Sequence, residues 1–118
     1  MISLGEHILI ELYNCDRELI DNSDLLEVLM LKAAEVANAK VVKSVFHNFS
    51  PQGVTGVVVV EESHFAIHTW PEHGYAAVDL FTCSEDMDYD AAYRFLENEL
   101  KAEKSSFKKV LRGEKQFL

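Results

Sequence analysis

Ser63, His68, Trp70, Glu72 and Cys83 fall within one stretch, Val57 to Cys83, whose residue types could carry chemistry. A hydroxyl in a tight turn between strands can attack the carbonyl that precedes it when the backbone is strained and a proton acceptor is at hand. The product is an ester, formed by an N-to-O acyl shift. Ser63 sits in such a turn, Glu61-Glu62-Ser63-His64, and His68 is the titratable group expected nearby. Side chains two apart on a strand share a face, so His68 and Trp70 should lie together with Glu72 just beyond them. On the residues alone, Ser63 is a turn serine, because serine is common in turns, and Cys83 is a buried core thiol.

Strands must hold these groups, and the hydrophobic pattern supplies them. Val54 to Val60 is rich in β-branched residues, with Gly56 marking a bulge or a close backbone approach. Phe65 to Trp70 and Tyr75 to Cys83 follow as two further strands, separated by a turn at Pro71-Glu72-His73-Gly74, and Phe46 and Tyr75 read as core. Upstream, His7 to Tyr13 and Lys40 to Phe49 alternate with period two, the latter ending in the turn Ser50-Pro51-Gln52-Gly53. Between them Leu25, Leu26, Leu29, Met30, Ala33, Val36 and Ala37 recur at three and four residues, which predicts an amphipathic helix of about four turns capped by Asn22 or Ser23. A second helix is predicted from about Asp88 to Ala102, with Glu85, Asp86 and Asp88 favouring its positive end. A short last strand, Phe107 to Leu111, precedes a tail that reads as frayed beyond Gly113.

The order β-α-β-β-β-β-α-β predicts an α+β two-layer sandwich, a mainly antiparallel sheet with two helices packed on one face. The other face also carries large apolar groups and needs a cover, which a second copy of the chain in a symmetric dimer would provide.

Bulk composition sets the limits. At 118 residues, 48% hydrophobic and 26% charged, the chain suits a single domain. A net charge of -9 argues against nucleic acid, since phosphate binding needs clustered Lys and Arg. The N-terminal run MISLGEHILI has neither a basic n-region nor an apolar span, so neither a signal peptide nor a membrane segment is expected. Cys15 and Cys83 form no disulfide framework, which points to the cytoplasm, and the five histidines show no metal-ligand spacing, so no metal is expected.

Glu62-Ser63-His64, Ile67-His68-Thr69-Trp70-Pro71-Glu72 and Gly74 through Cys83 resemble the prokaryotic S-adenosylmethionine decarboxylase family, as do Phe46-His47-Asn48-Phe49, Pro51 through Gly56, Leu4-Gly5-Glu6-His7 and Cys15-Asp16. The likeness spans nearly the whole chain. It implies a proenzyme that cleaves itself between Glu62 and Ser63 into a β chain, 1–62, and an α chain, 63–118. Ser63 would become a pyruvoyl cofactor whose ketone forms a Schiff base with S-adenosylmethionine and serves as electron sink during decarboxylation, in supply of the aminopropyl donor for spermidine.

By the same resemblance His68 is the processing base, assisted by the Thr55 hydroxyl, and Cys83 returns a proton to the substrate α-carbon, a role that favours a partly buried thiol. Phe49 and Trp70 would hold the adenine ring and Glu72 the ribose hydroxyls. The family usually has serine at position 55; threonine keeps the hydroxyl but restricts χ1. Two alternatives stand beside this reading. One is a pyruvoyl-dependent arginine or ornithine decarboxylase of the same fold, which would have no use for a purine clamp. The other is an unprocessed, non-catalytic regulatory paralogue, whose mark would be loss of Ser63, His68 or Cys83.

Overall fold

The computed structural model describes residues 1–118. Its elements follow the order read from the sequence: β1 (Ser3–Tyr13), α1 (Ser23–Val36), β2 (Val41–Asn48), β3 (Val54–Val60), β4 (Ser63–Trp70), β5 (Tyr75–Thr82), α2 (Tyr89–Glu99) and β6 (Lys104–Glu114). The strands form one six-stranded sheet in the order β2-β3-β4-β5-β1-β6, and every neighbouring pair is antiparallel. Both helices pack against one face of it, so the α+β sandwich is the observed architecture.

Each helix begins where a side chain takes up an orphan backbone donor. The Asn22 carboxamide accepts from Leu25 N–H at 3.0 Å, and the Asp88 carboxylate accepts from Ala91 N–H at 3.0 Å. The apolar stripe of α1 (Leu26, Met30, Ala33) and that of α2 (Ala92, Leu96) close over Ile8, Ile10, Val58, Phe65, Ile67 and Leu80 of the sheet, all completely or almost completely buried. Each large side chain so buried contributes about 1.5–3 kcal/mol. No helix is long and apolar enough to cross a membrane.

The structure corrects several sequence expectations. β1 begins at Ser3, four residues before His7, because its buried side changes: Ser3 and Gly5 are buried first, then Ile8, Ile10 and Leu12, and this break conceals the alternation. The last strand is an edge strand of 11 residues, Lys104–Glu114, because β1 offers a backbone partner along its whole length. The tail is not frayed: Gly113 turns left-handed (φ +64°), Lys115 N–H donates to Ile2 O at 2.9 Å, and a 3₁₀ turn runs Lys115–Phe117. β4 starts at Ser63, since only Glu61 and Glu62 connect it to β3, and β5 stops at Thr82. α2 ends at Glu99, short of Ala102.

Gly56 marks a close approach to the backbone and not a bulge, and the approaching group is a side chain. The ring of Phe46, its partner across β2 and β3, lies on it, and a Cβ there would overlap ring atoms. Phe46 packs against the core and has little room to yield. Gly56→Ala is therefore expected to destabilise the fold by about 1–3 kcal/mol, read as a lower urea midpoint with unchanged slope.

The face of the sheet away from the helices is uncovered. Leu9, Tyr13, Val45, Val59 and Trp70 stand on it exposed. This many large apolar groups exposed on one face mark an interaction surface.

Candidate active site

The turn between β3 and β4 holds Glu62 in a left-handed conformation, φ +62°. For a residue with a Cβ this costs about 1–2 kcal/mol, and here the strain sits immediately before Ser63. The register pairs Ser63 with Val60 on one side and Thr82 on the other. Beyond the end of β5, Cys83 N–H donates to Glu62 O at 3.1 Å. The Ser63 hydroxyl points toward the helix side and donates to Thr82 Oγ1 at 3.1 Å. It opens on a cavity of about 160 Å3 lined by Glu61, Glu62, Ser84, Asp86 and Met87 among others.

The second group of predicted residues gathers at the other end of β4. Thr55 and His68 are direct cross-strand partners, with Thr55 Oγ1 3.1 Å from His68 Nδ1. Both line a cleft of about 280 Å3 together with Phe49, Trp70 and Glu72. Glu72 stands on a 3₁₀ turn, Pro71–His73, closed by left-handed Gly74 and tied down by Arg17, which donates to Glu72 O at 3.0 Å. The Trp70 indole is stacked on Tyr75, ring centroids 5.2 Å apart, and Tyr75 on Tyr13 at 5.4 Å. The Tyr75 hydroxyl donates to the Glu11 carboxylate at 2.6 Å. Burial first, and the Glu11 acceptor and its charge next, raise the Tyr75 pKa above the ordinary phenol value, so it stays a neutral donor.

Three expectations change here. His68 is not near Ser63 within one chain: it is five steps along the strand, about 16 Å, and odd and even positions of β4 point to opposite faces. Tyr75 is not core but the backing of Trp70 on the uncovered face. Cys83 is exposed, and the buried thiol is Cys15, whose pKa burial pushes up to about 11. Sequence reasoning missed the backbone donor of Cys83 and the hydroxyl of Thr82. Both follow from strand register, which sequence periodicity does not reveal.

Phe49, Thr55, His68, Trp70 and Glu72 are thus brought together, as are Glu62, Ser63 and Cys83, but the two groups occupy opposite ends of one strand. No cluster of three or more His, Cys, Asp or Glu is placed to hold a metal ion.

Residues 6–113 match the family model described as S-adenosylmethionine decarboxylase. The chain is 55% identical over 104 residues to the S-adenosylmethionine decarboxylase proenzyme of Thermotoga maritima, an alignment spanning 88% of this chain and 80% of that one. It is 51% identical over 113 residues to the proenzyme of the same name from Caldicellulosiruptor saccharolyticus, spanning 96% and 91%. Among solved structures it is similar to the adenosylmethionine decarboxylase from Aquifex aeolicus, with TM-score 0.86 at 36% identity over 94% of this chain and 92% of that one. A Trypanosoma brucei AdoMetDC structure shares the fold alone, with TM-score 0.61 at 16% identity over 86% of this chain and 44% of that longer one.

Proposed function

We propose a working site for this chain, which belongs to the S-adenosylmethionine decarboxylase family, from the way its two groups of residues divide along β4. The chain is an S-adenosylmethionine decarboxylase made as a proenzyme, and the step it must perform first is on itself. The observation that carries the assignment of residues is the left-handed Glu62 directly before Ser63, its carbonyl oxygen held by Cys83 N–H.

Attack of the Ser63 hydroxyl on Glu62 places negative charge on that carbonyl oxygen, where a fixed backbone donor stabilises it. The ester that forms eliminates to a dehydroalanine, freeing the Glu62 carboxylate, and addition of water to the imine tautomer with loss of ammonia leaves residue 63 as a pyruvoyl group heading the chain 63–118. Residue 63 opens on a cavity of about 160 Å3, so the group has room where it arises. When formed it supplies a ketone that condenses with an amine and draws off the electrons released as carbon dioxide leaves.

The remaining roles belong to side chains. Cys83, beside Ser63, returns a proton to the substrate α-carbon. Phe49 and Trp70 hold the adenine ring, a stack worth about 1–3 kcal/mol, with Tyr75 keeping the indole upright, and Glu72 accepts bonds from the ribose diol. His68, its Nδ1 turned to Thr55, presents Nε2 as the processing base.

These assignments require both groups at one place, and a second copy meets that requirement. A two-fold axis across the strands near Ala66, midway between Ser63 and His68, lays the uncovered faces together and reverses β4 on its copy. The turn that carries Ser63, with Cys83 beside it, then lies opposite Thr55, His68, Phe49 and Trp70 of the other subunit. The processed assembly has two α and two β chains and two equivalent sites. Its reduced thiols fit the cytoplasm, and its product is the aminopropyl donor for spermidine synthesis.

Intact mass of the denatured protein, with release of labelled carbon dioxide, tests the reading. Expected are chains of residues 1–62 and 63–118, the second lighter than its sequence and reactive with a hydrazide, and turnover of S-adenosylmethionine. An uncut chain that still decarboxylates, or turnover of arginine or ornithine instead, would overturn it.

A further inference from the structure

We propose that Thr82 positions the Ser63 hydroxyl for its attack on Glu62; the inference rests on the self-cleavage reading and adds a residue to it. Thr82 lies directly across from Ser63 on β5 and is 1% exposed. Its hydroxyl has three partners: it accepts from the Ser63 hydroxyl at 3.1 Å and from Ser84 N–H at 2.9 Å, and it donates to Ser84 O at 3.2 Å. A threonine hydroxyl has one proton and two lone pairs. The proton is taken by the Ser84 carbonyl and one lone pair by the Ser84 N–H. The lone pair left over can only receive a proton, so Ser63 must be the donor between them.

That polarity suits a nucleophile. With its proton turned to Thr82, Ser63 Oγ keeps both lone pairs free of partners. The electrophile is held by the next residue of the same strand, since Cys83 N–H binds Glu62 O. Consecutive residues 82 and 83 thus hold the two reacting groups. In the step itself the bond from Ser63 Oγ to the Glu62 carbonyl carbon forms, the Glu62–Ser63 C–N bond breaks, and the hydroxyl proton ends on the freed Ser63 amine. Thr82 gains and loses no proton, and acts as a positioning residue.

The plainer role for a buried threonine is to satisfy the turn at Ser84, and two variants separate the roles. Thr82→Val keeps the shape without the hydroxyl; Thr82→Ser keeps the hydroxyl without the methyl. Cleavage is followed by intact mass in freshly purified protein, with thermal unfolding recorded alongside and hydroxylamine, which cuts esters, added to a parallel sample. Thr82→Val is expected to cleave about tenfold more slowly or worse, Thr82→Ser to stay within about threefold of the unmodified chain, and hydroxylamine to leave the Thr82→Val precursor whole because the ester has not formed. Thr82→Val cleaving at the unmodified rate, Thr82→Ser failing as badly as Thr82→Val, or prompt scission of Thr82→Val by hydroxylamine would each overturn the proposal. An unmodified chain that never cleaves would instead overturn the self-cleavage reading on which it stands.

Discussion

A chain carrying Ser63→Ala is expected to remain whole at 118 residues and to show no decarboxylation. The prediction follows from where the hydroxyl sits. Glu62 brings a strained backbone and Cys83 N–H a donor for its carbonyl oxygen, but neither can open the peptide bond without a nucleophile, and an uncleaved peptide bond with a trans barrier of about 18–20 kcal/mol even to rotation is not split by strain of about 1–2 kcal/mol. Without cleavage no ketone forms, so both activities vanish together. The fold should survive, because Ser63 contributes backbone pairing to Val60 and Thr82 that alanine retains. Intact mass and a carbon dioxide assay on the same sample check both halves; any cut chain, or any turnover, contradicts the prediction.

Cys83→Ala is expected to separate the two activities. The contact with Glu62 O comes from the backbone N–H of residue 83, not from its thiol, so cleavage should continue. Decarboxylation loses its proton donor and should fall by about 10²–10⁴-fold, the usual worth of a placed acid or base. The comparison to make is turnover per mole of cleaved chain. Unchanged turnover would remove Cys83 from the chemistry, and loss of cleavage alone would show that the thiol acts in processing instead. Cys15 offers an internal contrast: it is buried, and its thiol stays protonated until pH nears about 11, whereas Cys83 is exposed on the single chain.

The succession of strands and helices is legible in the sequence because β1 and β2 alternate with period two, β3 is rich in β-branched residues, and the helices repeat apolar residues at three and four. What escapes is instructive about why. Ser3 to Glu6 hides its strand because the buried side changes before Ile8, and Lys104 to Glu114 hides most of its length because an edge strand carries charge on either face. Gly56 is explained only by the ring of Phe46, a residue ten positions away in sequence and opposite in register.

The candidate site was equally divided. His68, Trp70 and Glu72 share an end of β4 as their spacing predicts, register adds Thr55, and the turn between β2 and β3 adds Phe49 to the same cleft. That Ser63 lies at the far end is also written in the spacing, since a strand advances about 3.3 Å per residue; closeness in sequence suggested closeness in space, and on an extended strand five residues are far apart. The likeness to the family names the residues. Only the geometry of a single chain raises the question of how they meet.

The most direct measurement of that question is co-expression of a Ser63→Ala chain with a differently tagged His68→Ala chain, followed by isolation of the mixed dimer and intact mass of each chain. Either variant alone should stay uncut. In the mixed dimer one site combines Ser63 of the His68→Ala chain with His68 of the Ser63→Ala chain, so the account predicts that the His68→Ala chain, and that chain only, is cut between Glu62 and Ser63. A mixed dimer in which both chains remain whole, or a His68→Ala chain that cuts itself without a partner, would contradict a site shared between two copies.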